Sequence, residues 1–159
     1  MSLFRPTAHL FIWSLVWGGS GYYSYVASPI AFKTLSRKEF SALQSKIFPH
    51  FFLAQSVSPL LIGLTAPYAL TTGALVTLGT AVIGGLTNLL WLLPSTRKIK
   101  EARFKLEDEG KEDSVEHKEL SKQFGKIHGL SLLFNFVNFA ALTTYGFILT
   151  KNIIRYVPK

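Results

Sequence analysis

The sequence predicts an all-α, polytopic membrane protein, a four-helix transmembrane bundle joined by amphipathic interfacial linker helices. Three observations predict it. From Ile47 to Thr96, fifty consecutive positions carry no Asp, Glu, Lys or Arg. A single helix of that length would reach about 75 Å, more than twice the ~30 Å hydrocarbon core of a bilayer, so the stretch must turn back on itself as two spans. Two further uncharged runs, Pro6 to Phe32 and Ile127 to Thr150, flank it. Composition agrees: 48% of the residues are hydrophobic, 14% are aromatic and the mean hydropathy is +0.29, too apolar for an ordinary water-soluble domain. One membrane domain is expected over residues 1–159.

The first span is expected at about 7–32. Its uncharged run of 27 residues exceeds the roughly 7–15 apolar residues of a signal-peptide core, so it is read as retained. No Arg- and Ser-rich amphipathic presequence precedes it. The expected location is therefore an endomembrane of the secretory pathway or the mitochondrial outer membrane.

Lys33 to Lys46 is the first polar interval. Ser36 with Glu39 three residues later makes a capping box, and Phe40, Leu43 and Ile47 fall on one face of the helix it starts. That pattern predicts an interfacial helix leading into a second span at about 47–65, with Pro49 in its first turn. Ala66 to Tyr68, or the Thr71 to Gly73 cluster, supplies the turn. The third span runs at about 73–93 and is expected to stop at Pro94.

The polar loop 95–126 holds nine Lys/Arg against eight Asp/Glu, with i to i+4 pairs such as Glu101 with Lys105. It should contain two helices broken near Gly110, the second capped by Asp113 with Glu116. Leu120, Phe124 and Ile127 continue an apolar stripe into the fourth span at about 127–150. A short basic tail follows.

Four spans place both termini and the Pro67 turn on one side and the two polar intervals on the other. The intervals carry 13 Lys/Arg and the opposite side four, so the positive-inside tendency puts the loops in the cytosol. The net charge of +8 is read the same way, as contact with anionic lipid head groups; no nucleic-acid motif accompanies it. Cysteine is absent, which excludes disulfides, thiolate metal sites and a Cys nucleophile.

Polar residues inside a bilayer are costly and mark candidate sites. His128, Ser131, Asn135 and Asn138 form one stripe on the fourth span, and Thr77, Thr80, Gly84, Thr87, Asn88 and Trp91 a comparable face on the third. All should turn inward. His50 and His128 begin their spans on the loop side, where Asn88 and Trp91 end theirs, whereas His9 lies at the opposite surface. One reading makes His50 and His128, with Asn88 and Asn135, a site for a metal, a tetrapyrrole or a proton. The other makes Asn88 and Asn135 hydrogen-bond each other as interhelical glue, with the histidines satisfied locally; the residues favour this one. With no HExxH motif and no carboxylate inside a span, a zinc or di-iron enzyme is not expected.

The run FKTLSRKEFSALQSKIFPHFF, with Gln44, Ser45, Lys46, Phe48 and Pro49, resembles the signature of the transmembrane protein 205 family of multi-pass proteins. NLLWLLP, from Asn88 to Pro94, and HGLSLLFN, with His128, Gly129, Ser131 and Asn135, resemble two further family motifs in the same order. The family is in turn similar to small four-helix proteins of the copper-resistance D type and to the HemJ-type protoporphyrinogen oxidase, where a His early in the first span matters for haem. His9 sits in that place. The resemblance implies a four-span bundle and carries no activity over.

The sequence reading is thus a non-enzymatic multi-pass integral membrane protein, structural or accessory to membrane transport or trafficking, with no resident cofactor. The Gln44–His50 and His128–Asn135 segments form a shared surface or shallow site. Membrane lipids and a membrane-protein partner or second copy are its expected contacts. A haem- or metal-binding protein using His9, His50 or His128 is the main alternative, and a small transporter the third.

Overall fold

A computed structural model describes residues 4–155, the side chain of Arg155 excepted; the end of the basic tail lies outside them. The described chain is helical throughout: α1 (Phe4–Tyr22), a π turn (Tyr23–Ala27), α2 (Ser28–Thr34), α3 (Arg37–Thr65), α4 (Thr72–Thr87), a second π turn (Asn88–Leu92), α5 (Leu93–Asp108) and α6 (Val115–Arg155). Three continuous helical runs are long and apolar enough to cross a membrane: Arg37–Thr65, Thr72–Asp108 and Val115–Ile154. The chain is a multi-pass integral membrane protein.

The caps follow the sequence in part. Ser36 accepts from the Glu39 amide while the Glu39 carboxylate accepts from the Ser36 amide, the reciprocal pair that satisfies two orphan donors. Thr71 caps α4 and ends the 66–71 turn. The break at Gly110 occurs, with φ of +69°, a conformation glycine adopts without the steric cost a Cβ brings. The cap of α6 is Ser114 rather than Asp113; its hydroxyl accepts from the His117 amide.

The linkers differ from expectation because Pro29, Pro49, Pro59 and Pro94 are carried within helical runs. The interfacial helix and second span are one helix, α3, with Pro49 and Pro59 both inside it. Pro94 does not end the third span. A proline ring clashes with the carbonyl four residues before it. For Pro29 and Pro94 that carbonyl belongs to Tyr25 and Leu90, the middle residues of the two π turns, and the widened i to i+5 turn makes room for the ring. Helical runs therefore extend past the charge-free stretches, and α5 and the start of α6 pack together as a charged hairpin.

α4 is the central helix, with its largest contacts to α6 and α3; α1 lies mainly against α3. The core joins Ile62 of α3 to Ala74, Leu78 and Ala81 of α4 and to Ala141, Leu142, Tyr145 and Leu149 of α6. A Cβ at Gly85 would lie 2.8 Å from the backbone of Gln55 and Ser56, so only glycine permits this crossing.

Gly85→Ala is expected to lower the thermal midpoint in detergent, at a cost of about 1–3 kcal/mol from overpacking. Gly79 has open space around its Cα. Gly79→Ala should be neutral or stabilising by up to about 1 kcal/mol.

Candidate functional site

Positions 128, 131, 135, 138, 142 and 145 recur at spacings of three and four along α6 and form its inward face. The face is polar at both ends and apolar between. At the loop-side end, Ser131 Oγ donates to Asn88 Oδ1 at 2.7 Å, and Asn88 Nδ2 donates back to the Ser131 carbonyl at 3.2 Å. One turn deeper, Asn135 accepts from Gln55 Nε2 at 2.6 Å and donates to Ser24 Oγ at 2.9 Å. The direct Asn88–Asn135 bond expected from the sequence is replaced by these two separate sets. Each Asn finds its partner at its own level of the neighbouring helix.

Asn138 is fully buried and bonds backbone instead: its amide donates to the carbonyls of Ala81 at 2.7 Å and Gln55 at 3.3 Å. The Gln55 carbonyl is the one that Pro59, four residues on, leaves without a helical donor. Pro49 leaves the Ser45 carbonyl in the same state, and Arg97 of α5 donates to it at 3.3 Å. Trp91 does not belong to the seam. It is 58% exposed, because a π turn advances less per residue than an α-helix and rotates position 91 away from the face that Asn88 occupies.

Beside the Asn135 layer lies a slot of about 60 Å³. The Tyr23 π turn and Ser28 form one wall, Phe48, Phe51 and Phe52 of α3 a second, and His128, Ser131, Leu132 and Asn135 of α6 the third. Tyr23 donates its hydroxyl to Gln44 Oε1, and Gln44 Nε2 donates to Ser28 Oγ at 3.0 Å, which ties α1 and α2 to α3. His128 stacks on Phe124, ring centroids 5.5 Å apart. His50 is exposed on α3 and is not part of this lining, so the slot takes in only one of the two loop-side histidines. Of the remaining motif residues, Ser45 donates to the Ser41 carbonyl, Lys46 is exposed, and Gly129 has open space around it.

His9 belongs to a separate network at the other end. Thr65 donates its hydroxyl to the Leu61 carbonyl at 2.7 Å, so its oxygen accepts from His9 Nδ1 at 3.1 Å. That fixes Nε2 as the acceptor of the Tyr145 hydroxyl at 3.0 Å, and Tyr145 accepts from Tyr68 at 3.0 Å. Both ring nitrogens are engaged, and a metal or haem iron would have to displace Tyr145 or Thr65. Ile62, Leu78 and Leu142 separate this network from Asn138. Among the described residues, no three of His, Cys, Asp and Glu come together as a metal site.

On the loop face, Glu107 of α5 accepts from Arg37 at 2.5 Å and pairs with His117 at 2.9 Å and Arg103 at 3.9 Å, while Lys38 pairs with Asp108 at 2.8 Å. His117 thus ties the charged hairpin together. Gln55 and Tyr145 went unnoticed in the sequence. The signal for Gln55 was its place four residues before a proline, where a second helix must supply a donor.

A family model described as a domain of unknown function (DUF4149) matches residues 11–105, more than half of the chain. No curated protein and no solved structure matches it.

Asn138→Leu is expected to destabilise the fold by about 1–3 kcal/mol, since it leaves the buried Gln55 carbonyl without a donor. Pro59→Ala restores an amide to the Gln55 carbonyl and should recover part of that loss. Thermal midpoints of the two single variants and the double variant, compared as a double-mutant cycle, check the coupling.

Proposed function

The chain belongs to the DUF4149 family, and from that premise we propose that it is a four-span, non-enzymatic integral membrane protein, accessory to membrane transport or trafficking, that receives a ligand or partner group in the slot beside Asn135. The observation that carries the reading is the convergence at that slot of Phe48, Phe51 and Phe52 from one motif segment or just beyond it and of His128, Ser131 and Asn135 from another. The resemblance of those motifs to the transmembrane protein 205 family supports it. The slot holds no carboxylate and no nucleophile paired with a base, which speaks for binding over catalysis. The run from α1 to α2 is the additional span: continuous helix over residues 4–34, with no Asp, Glu, Lys or Arg between Arg5 and Lys33, is long enough to cross. The loops then face the cytosol and the termini the opposite side. Membrane lipids, and a membrane-protein partner or second copy, are its contacts.

The chain has no cysteine, so single-cysteine labelling reads topology without background. Lys33→Cys and Glu112→Cys should be labelled from the cytosol, and Phe4→Cys and Thr71→Cys only from the other side. Phe4 and Lys33 labelled from one side would remove the fourth span; the reverse pattern for all four would invert the orientation alone. A photo-crosslinking side chain at Leu132, which lines the slot, should capture an adduct in the native membrane that Asn135→Leu removes. An adduct indifferent to Asn135, or none, overturns the slot as the contact site.

A further inference from the structure

The geometry points to a primary ammonium group as the guest of the slot beside Asn135, an inference that rests on the slot being a binding site. Two features of its walls carry it. The first is aromatic. Tyr23 and Phe51 have ring centroids 4.9 Å apart, Tyr23 and Phe48 6.3 Å, Phe48 and Phe52 5.3 Å, and Phe51 and Phe52 5.5 Å. All four rings line one cavity, the surroundings in which ring quadrupoles attract a cation.

The second is an imbalance of acceptors over donors. Tyr23 donates its hydroxyl hydrogen to Gln44 and Ser131 donates its own to Asn88, so both present lone pairs only. Asn135 Oδ1 receives one hydrogen bond and has capacity for a second. Immediately behind it, the buried Oε1 of Gln55 has no partner at all. Donors toward the slot come from the hydroxyls of Ser24 and Ser28, each of which accepts one bond, from the second hydrogen of Asn135 Nδ2 and from one His128 nitrogen; the lone pairs of Tyr23, Ser24, Ser28, Ser131, Asn135 and the second His128 nitrogen outnumber them. Of the ionisable groups, only His128 and the Tyr23 phenol line the cavity. A guest that brings several N–H donors and a positive charge complements such walls; an anion finds neither a cationic side chain nor a helix N-terminus there.

Hydrogen-bonding capacity narrows the class. A primary ammonium brings three N–H donors to these lone pairs, whereas a trimethylammonium group brings the charge and none. Phe48 and His128 are each the second residue of a charge-free stretch, those beginning at Ile47 and Ile127, and Ser28 lies shortly before the end of the stretch that closes at Phe32, so the guest stands close to the head-group level. The same chemistry is available from a phosphatidylethanolamine head group or from a free small amine.

The test uses the full chain in phosphatidylcholine nanodiscs, with thermal midpoint as the readout. Methylammonium should raise the midpoint saturably, while tetramethylammonium at equal ionic strength and methanol should not. Phe51→Leu should raise the half-saturation concentration about fivefold or more. Ser28→Val serves as a second variant, and each variant's midpoint without amine reports that it folds. In phosphatidylethanolamine nanodiscs, a raised starting midpoint that methylammonium no longer shifts, with the lipid retained in native mass spectra, identifies the head group as the source. An unchanged response there identifies a free amine. Equal effects of methylammonium and tetramethylammonium, equal effects of methylammonium and methanol, no saturable shift in either lipid, or wild-type affinity in both variants would overturn the ammonium assignment. An Asn135-dependent adduct at Leu132 combined with any of those results leaves the slot as a site for a different guest; loss of the adduct as well removes the site.

Discussion

A broken backbone hydrogen bond has no water to turn to inside a bilayer, and this protein breaks several by carrying proline within its helices. Pro59 removes the amide that would serve the Gln55 carbonyl, and Asn138 of α6 reaches across to serve it. The same side chain donates to Ala81 of α4, so one amide fixes three helices at one level. Gly85, where a Cβ would meet Gln55 and Ser56, permits the approach. Pro49 repeats the device nearer the loop side, with Arg97 donating to the freed Ser45 carbonyl and Lys100 to the Ser45 hydroxyl. α5 is thereby tied to α3.

These ties divide the interior into separate polar layers. The loop-side layers around Asn88, Asn135 and Asn138 use carboxamides and hydroxyls, and the far layer uses His9, Tyr68, Tyr145 and Thr65. Ile62, Leu78 and Leu142 belong to the apolar core. Each polar layer joins helices through hydrogen bonds that the hydrocarbon interior cannot replace.

Helix existence and the Ser36 cap were legible because they rest on local chemistry. The charge-free run of fifty residues, the Ser36–Glu39 box and the Gly110 break each depend on a few neighbouring residues. Helix ends at Pro49 and Pro94 were misjudged for a reason that is not local. Whether a proline stops a helix depends on whether something else serves the carbonyl it frees or widens the turn before it, and that something lies on another helix or in a π turn. The misplacement of Trp91 has the same origin, since a period of 3.6 does not survive a π turn. The polar seam was found as a face because faces follow from periodicity. Its pairings were not, because the level at which Asn88 meets Ser131 and Asn135 meets Gln55 is set by the Gly85 crossing. The charge pattern of 95–126 gave its helices but not the grouping of Arg37, Arg103 and His117 on Glu107, which requires α3, α5 and α6 in place.

The position of the slot follows from the same proline chemistry. Tyr23 lies in the π turn that makes room for Pro29, and Phe48, Phe51 and Phe52 surround Pro49. Ser131 is bonded to Asn88, which opens the π turn before Pro94. Three helical runs that depart from regular α geometry thus meet α6 at one depth. Regular helices there would approach by ridges into grooves and leave no space. The widened turns and the proline in α3 hold their neighbouring side chains off that register, and the gap is lined by whatever those side chains are. Here they are aromatic rings and hydrogen-bonding side chains.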